Sequence, residues 1–165
     1  MAMTEQELLD RAEIFDALIA YSQGLDQRNW DLFDRAFTPD AALRFPGSGH
    51  HPLTPAEFKE LLRSQNDSTR LSGQHNLYNP HYRIEGDTAH VVTEFTWLTL
   101  QQSHEPGLLY EVSGGGLYVD DLARTADGWR ITARNVGQKS HLTRHVPYPA
   151  DRIEAIRKTL HGHWY

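Results

Sequence analysis

An aspartate stands at a junction in "YSQGLDQRNWDLFDRAFTPDAAL" (residues 21–43), where Asp26 follows Leu25 between two helical patterns. Facing water, Asp26 caps the second helix. Turned inward, an ionised carboxylate in an apolar interior needs a partner or a task. The other reactive residue types narrow the chemistry. The 165 residues contain no cysteine, which excludes disulfides, thiolate catalysis and cysteine zinc sites. Ten histidines occur, yet no HExxH and no tight two-histidine-plus-carboxylate pattern, so no functional metal is expected. His141 and His145 are four apart ahead of Pro147 and need not be helical, and His161 and His163 sit in a terminal "HGHWY" tail. No serine carries a nucleophile-elbow sequence. Gly114, Gly115 and Gly116 fall inside a strand pattern, where missing side chains permit sharp bending or leave room for a flat ligand. No helix start follows them, so they do not form a phosphate loop.

The elements that must position such groups are readable in outline. "TEQELLDRAEIFDALIAYSQGL" opens with a capping-box pattern, Thr4 then Glu7, and its apolar residues recur at helical spacing up to a stop at Gly24. "NWDLFDRAF" predicts a short second helix with Trp30, Phe33 and Phe37 on one side, ended by Thr38-Pro39. "AALRF" predicts a short strand, and "TPAEFKELLRSQ" a helix with Thr54 as N-cap and Pro55 in its first turn. From Gln74 the pattern becomes β-rich. Long runs are joined by Glu85-Gly86-Asp87, by Glu105-Pro106-Gly107 and by a second Asp-Gly turn, so the strands are antiparallel. "PADRIEAIRKTL" predicts a last helix. Helices first and a curved meander afterwards define an α+β chain with helices covering one face of the sheet.

Composition sets outer limits. A 39% hydrophobic chain of this length suits one domain with a real core, spanning 1–165, with its body over about 5–140 and a C-terminal helix and tail over 147–165. The formal charge of −6 and the lack of a basic stripe argue against nucleic-acid binding. No apolar run approaches the roughly 20 residues that span a membrane. The acidic, amphipathic start is unlike a secretory signal, so a cytoplasmic location is expected.

Three stretches, "YSQGLDQRNWDLFDRAFTPDAAL", "GQHNLYNPHYRIEGDTAHV" and "GGGLYVDDLARTADGWRITARNV", resemble the SnoaL-like branch of the nuclear transport factor 2-like superfamily. The resemblance covers roughly residues 5–140. It implies a cone: a bent antiparallel sheet around a pocket, with N-terminal helices on one side. It also implies pairing into a homodimer through the outer sheet face, for which exposed aromatics such as Trp97 would serve. Dehydratases, isomerases, polyketide cyclases, epoxide hydrolases, a dehydrochlorinase and non-enzymatic binding proteins share that fold, and fold alone does not choose among them.

Dehydratase and dehydrochlorinase members use an aspartate after the first helix and a histidine opening the first long strand, which match Asp26 and His75. A dehydrochlorinase arginine five residues past the last strand's tryptophan matches Arg134, and a tyrosine of bile-acid dehydratase-like members matches Tyr21. Other positions depart: Leu25 and Gly116 replace a tyrosine and an asparagine of scytalone dehydratase-like enzymes, and Leu98 stands where a further aspartate is expected. A carboxylate bonded to one imidazole nitrogen leaves the other free to abstract a proton. Arg134, on a strand face with Thr132 and Val136, would bind a departing anion or enolate oxygen, aided by Tyr21.

The expected activity is therefore that of a cofactor-independent lyase or isomerase, dehydratase-like or cyclase-like, on a hydrophobic cyclic small molecule. Phe45, Tyr78, Trp97, Tyr110, Gly116 and Tyr118 would line its pocket. The alternative is a non-catalytic ligand-binding or assembly protein with the same cone. In that case Asp26 is a helix cap, His75 a hydrogen-bonded strand residue and Arg134 a solvated one. An epoxide hydrolase ranks third, because Glu94, Glu111, Asp120 and Asp121 are not evidently inward.

Overall fold

A computed structural model describes residues 3–66 and 68–160. Helix α1 (Glu5–Gln27) begins with the expected reciprocal cap: Thr4 Oγ1 accepts from the Glu7 N–H at 3.2 Å, and the Thr4 N–H donates to the Glu7 carboxylate at 3.3 Å. The helix does not stop at Gly24. It runs on to Gln27 and ends at Arg28, whose φ of 54° is left-handed. The absent side chain at Gly24 serves the crossing with α2 (Trp30–Asp34): a Cβ there would lie 2.5 Å from the Phe33 nitrogen. Asn29 caps α2 through its side-chain oxygen, which accepts from the Leu32 N–H at 3.1 Å. That leaves Asp26 out of the capping role. The second helix is shorter than its pattern predicts, because Phe37 already belongs to strand β1 (Phe37–Arg44). Helix α3 (Pro55–Asn66) starts as expected, with Thr54 and Glu57 capping each other.

Strands β2 (Arg70–Glu85), β3 (Thr88–Gln102), β4 (Leu108–Thr125) and β5 (Gly128–Pro147) form an antiparallel meander. β1 adds to its far edge parallel to β5, giving the order β1-β5-β4-β3-β2. β5 is longer than the sequence pattern suggests and carries both His141 and His145. Two irregularities bend the β4–β5 ladder, one between Gly115 and Gly116 and one between Asp121 and Leu122. Extra residues of this kind sharpen local twist and re-aim side chains.

The curved, unclosed sheet carries its helices on one side, as the resemblance implied. α1, α2 and α3 cover that face through Ile14, Leu18, Tyr21, Phe33 and Phe58, which pack with Phe37, Tyr118 and Trp129 of the sheet. Burial of this kind is worth about 1.5–3 kcal/mol for each large apolar side chain. A second, smaller cluster joins Leu71, Leu100 and Leu109 to Ile153 and Ile156 of α4 (Ala150–Leu160). His161 and His163 lie outside the described residues. Among the described residues no helix is long and apolar enough to cross a membrane.

Candidate functional site

Asp26 points inward from the last turn of α1 and is buried. Its two oxygens hold the start of β2. Oδ2 accepts the His75 backbone N–H at 2.6 Å, and Oδ1 meets His75 Nδ1 at 2.7 Å. One carboxylate therefore fixes both the strand position and the ring orientation of His75. With Nδ1 engaged, the opposite edge of the imidazole is the one available to a ligand.

His75 is one of the residues that line a cavity of about 260 Å³, with Tyr21, Phe45, Pro46, Phe95, Trp97, Tyr118, Val136, Gln138 and His141. Strand register explains the lining. His75 lies opposite Trp97, Trp97 opposite Gly114, and Gly114 opposite His141, so one row crosses four strands. Gly114 supplies the gap in that row. A Cβ there would sit 3.1 Å from the Trp97 indole nitrogen, and the gap lets Trp97 meet His141 edge-on at 5.7 Å. The next rows bring in Phe95, whose ring stacks on Tyr118 at 3.9 Å, and Val136, opposite Tyr118.

The cavity floor is held by a buried ion pair. Arg134 donates from Nε and Nη2 to the two oxygens of Asp120, both at 2.7 Å, and neither side chain has any exposed surface. The Arg134 guanidinium carbon lies 4.1 Å from the ring centres of both Tyr21 and Tyr118. Stacking of this type is worth up to ~2 kcal/mol when desolvated. Burial pushes the Asp120 carboxyl up, with Arg134 pulling the other way. Burial works against the Arg134 charge too, but Asp120 more than offsets it and holds the guanidinium above its ordinary range. Burial also raises both phenols, Tyr118 well above the ordinary value, so each keeps its proton and can donate a hydrogen bond.

The structure thus brings Asp26, His75, Tyr21, Phe45, Trp97 and Tyr118 to one place. Arg134 sits beneath that place rather than in its wall. A bulge opposite Asp121 and Leu122 leaves Thr132 unpaired, so Arg134 is buried alongside Ile131 and Val136 instead of sharing a face with Thr132. Three expected lining residues do not line the cavity. Tyr78 is exposed, its hydroxyl 3.3 Å from Thr96 Oγ1 beside the left-handed residue Asn79. Tyr110 lies beyond the cavity row and packs on His145. Gly116 makes room for backbone, since a Cβ there would fall 2.1 Å from the Gly137 carbonyl oxygen. Trp97 is half-buried in the cavity and so is not an outer-face aromatic.

Several residues of the site escaped the sequence reading: Arg70, which approaches Asp26 Oδ1 at 3.3 Å, and Asp120, Gln138 and His141. For Asp120 a signal existed, because strand alternation places it with Tyr118 and Leu122 on the buried face. Asp120 and Glu111 are both buried, contrary to expectation, but each is paired with an arginine and neither lines the cavity. A carboxylate pair suited to activating water is therefore not formed there. Among the described residues no three metal-binding side chains converge.

The fold is an α+β cone, and an aspartate-held histidine stands at its largely apolar cavity. The chain belongs to the SnoaL-like domain family, whose model matches residues 6–135. It is 36% identical over 129 residues to an uncharacterised protein of Mycobacterium tuberculosis, covering 78% of this chain and 84% of that one, and to a counterpart in Mycobacterium bovis with the same values. Its fold is similar to that of a putative scytalone dehydratase from Novosphingobium aromaticivorans (TM-score 0.74, 16% identity, 90% of this chain and 97% of that chain). A hexachlorocyclohexane dehydrochlorinase is similar in fold as well (TM-score 0.72, 16% identity, 87% and 96%).

Proposed function

We propose that the protein is a cofactor-independent lyase or isomerase acting on a hydrophobic cyclic small molecule, with His75 as general base and Asp26 as the group that orients it. The observation that carries this reading is the double grip of Asp26 on His75, at 2.6 and 2.7 Å, beside an otherwise largely apolar cavity. A side chain that only stapled α1 to β2 would need the backbone contact alone. The fold shared with a putative dehydratase and a dehydrochlorinase agrees with this chemistry.

In the proposed step His75 takes a proton from a carbon next to a carbonyl or leaving group. The C–H electron pair then forms the double bond as the leaving group departs with its electrons, or forms an enolate that is reprotonated at another carbon. Tyr21, protonated and at the cavity wall, donates to the oxygen that gains charge. Arg134 supports this from behind, its cation stacked on the Tyr21 ring. General-base catalysis of this kind contributes typically ~10²–10⁴-fold. The homodimer belongs to the same proposal and is read directly by sedimentation.

The test uses cyclic ketones and ring alcohols with a β leaving group, incubated with the protein in heavy water. Deuterium uptake at the acidic carbon and elimination are followed by mass spectrometry. Wild type should exchange or eliminate, and Asp26→Asn and His75→Gln should lose that activity while quenching of Trp97 fluorescence by the same ligands stays within a few-fold. Binding without exchange in wild type would replace the enzyme reading by the non-catalytic ligand-binding one.

A further inference from the structure

Asp26 sits where a carboxylate is least welcome on a helix. The C-terminal turn carries partial negative charge from its unpaired carbonyls, and the last turn of α1 contains no basic residue. The compensation comes from another element. Arg70, at the start of β2, reaches Asp26 Oδ1 with Nη2 at 3.3 Å, and both side chains are almost fully buried, at 6% and 8% exposure. Two local features make that reach possible. The β2–β3 register slips between Arg70 and Ser72, which sends Leu71 into the α4 cluster and frees Arg70 to turn toward α1. Gly73 then leaves the space the guanidinium occupies: a Cβ on Gly73 would lie 1.6 Å from Arg70 Nη2 and 3.0 Å from Asp26 Oδ1.

Oδ1 is therefore shared between a permanent cation and the His75 ring. The sharing matters for the direction of proton transfer. An aspartate with no other counter-charge favours the imidazolium next to it, and an imidazolium can donate a proton but not accept one. A carboxylate already neutralised by arginine attracts that extra proton less. Among the described residues, Tyr21 on α1, with Arg134 of β5 behind its ring, and His141 of β5 on the cavity wall also stand near His75. Tyr21 is neutral and Arg134 is already paired to Asp120, whereas Arg70 engages the same Asp26 oxygen as the His75 ring.

We propose that Arg70 is a positioning residue of the dyad: by neutralising Asp26 it keeps His75 as the neutral imidazole, with a bare nitrogen turned to the cavity. This deepens the general-base reading of His75 and rests on it for its functional meaning, but its test requires no substrate. The ring nitrogens of His75 are observed by long-range ¹H–¹⁵N NMR of the full chain at neutral pH. Wild type should show one protonated and one bare nitrogen, with Nδ1 protonated. Arg70→Gln should lose the bare-nitrogen signal, because Asp26 then binds an imidazolium. Arg70→Lys keeps the charge and should restore it.

If Arg70→Gln fails to fold, Arg70→Met, which also removes the charge but keeps an unbranched side chain, takes its place in the comparison with wild type and Arg70→Lys. An imidazolium in wild type, or a bare nitrogen that persists in Arg70→Gln, would overturn the proposal, as would a Lys variant that resembles Gln. Absence of exchange activity with every ligand would remove the enzyme reading and leave these spectra untouched.

Discussion

Arg134 and Asp120 face each other across β4 and β5 through two 2.7 Å hydrogen bonds, with no exposed surface on either side chain, directly under the two tyrosines of the cavity. The pair explains how a cavity wall of aromatic rings can stand on a charge without opening to water. The guanidinium carbon lies 4.1 Å from both phenol ring centres, whose rings meet edge-on, and the carboxylate neutralises the charge from its other side.

Removing one partner should therefore be far worse than removing both. Asp120→Asn leaves a buried cation without its counter-ion, and the expected loss is about 3–5 kcal/mol. It is read as a lower urea midpoint at unchanged slope. Asp120→Leu combined with Arg134→Met removes both charges and should recover most of that loss. A double variant as unstable as the sum of its single variants would show that the pair holds the fold by something other than charge compensation.

The tyrosines above that pair set the alkaline limit of stability. Burial holds the Tyr118 phenol well above its ordinary value and raises Tyr21 in the same direction. A group with a raised folded-state value binds its proton more tightly when folded, so its stabilisation is complete below about pH 10, the unfolded phenol's value, and falls as pH rises beyond it. The slope reaches about 1.4 kcal/mol per pH unit for each phenol that ionises only on unfolding. Tyr118→Phe should flatten the decline above pH 10 relative to wild type in a series of urea titrations. Equal slopes in the two proteins would mean that Tyr118 ionises in the folded state.

How far the sequence could be read depended on the range of the interaction. Caps were legible, because Thr4–Glu7 and Thr54–Glu57 bond within one turn. The long strands and their turns were legible from alternation and from Gly86. Gly24 misled because a glycine after an apolar run usually ends a helix. Here it admits Phe33, nine residues on, and the left-handed cap falls on Arg28. The facing of Arg134 was misjudged because one unpaired residue, Thr132, breaks the two-residue period on which such a reading depends. Arg70 was invisible for a different reason. Its partner is 44 residues away and nothing local marks an arginine that will be buried.

The three glycines of β4 separate two roles that looked alike in sequence. Gly114 leaves room for the Trp97 indole as well as for β5, whereas Gly116 answers only to the Gly137 and Gln138 backbone. Gly114→Ala would place a Cβ 2.3 Å from the Ser140 carbonyl oxygen, a backbone atom that cannot rotate aside. Overpacking of this sort costs typically 1–3 kcal/mol, and β5 should lift from β4 beside the cavity. The difference in tryptophan emission between Gly114→Ala and wild type should vanish when both carry Trp97→Phe. Persistence of that difference would mean that the strain is relieved away from Trp97.

Gly24→Ala tests whether the α1–α2 crossing, rather than helix propensity, governs this end of α1. In an exposed helix interior the change gains about 0.8–1 kcal/mol, since alanine loses less backbone freedom. At Gly24 the new methyl would meet the Phe33 nitrogen, Cα and Cβ at 2.5, 2.7 and 2.8 Å. α2 must then move, and with it the Phe33 ring, which lies 5.7 Å from the Tyr21 ring at the cavity wall. The expected sign is a net loss of about 1–3 kcal/mol, seen as a melting temperature several degrees lower, together with weaker ligand quenching of Trp97. A higher melting temperature would show that α2 yields freely and that the crossing does not hold Tyr21 in place.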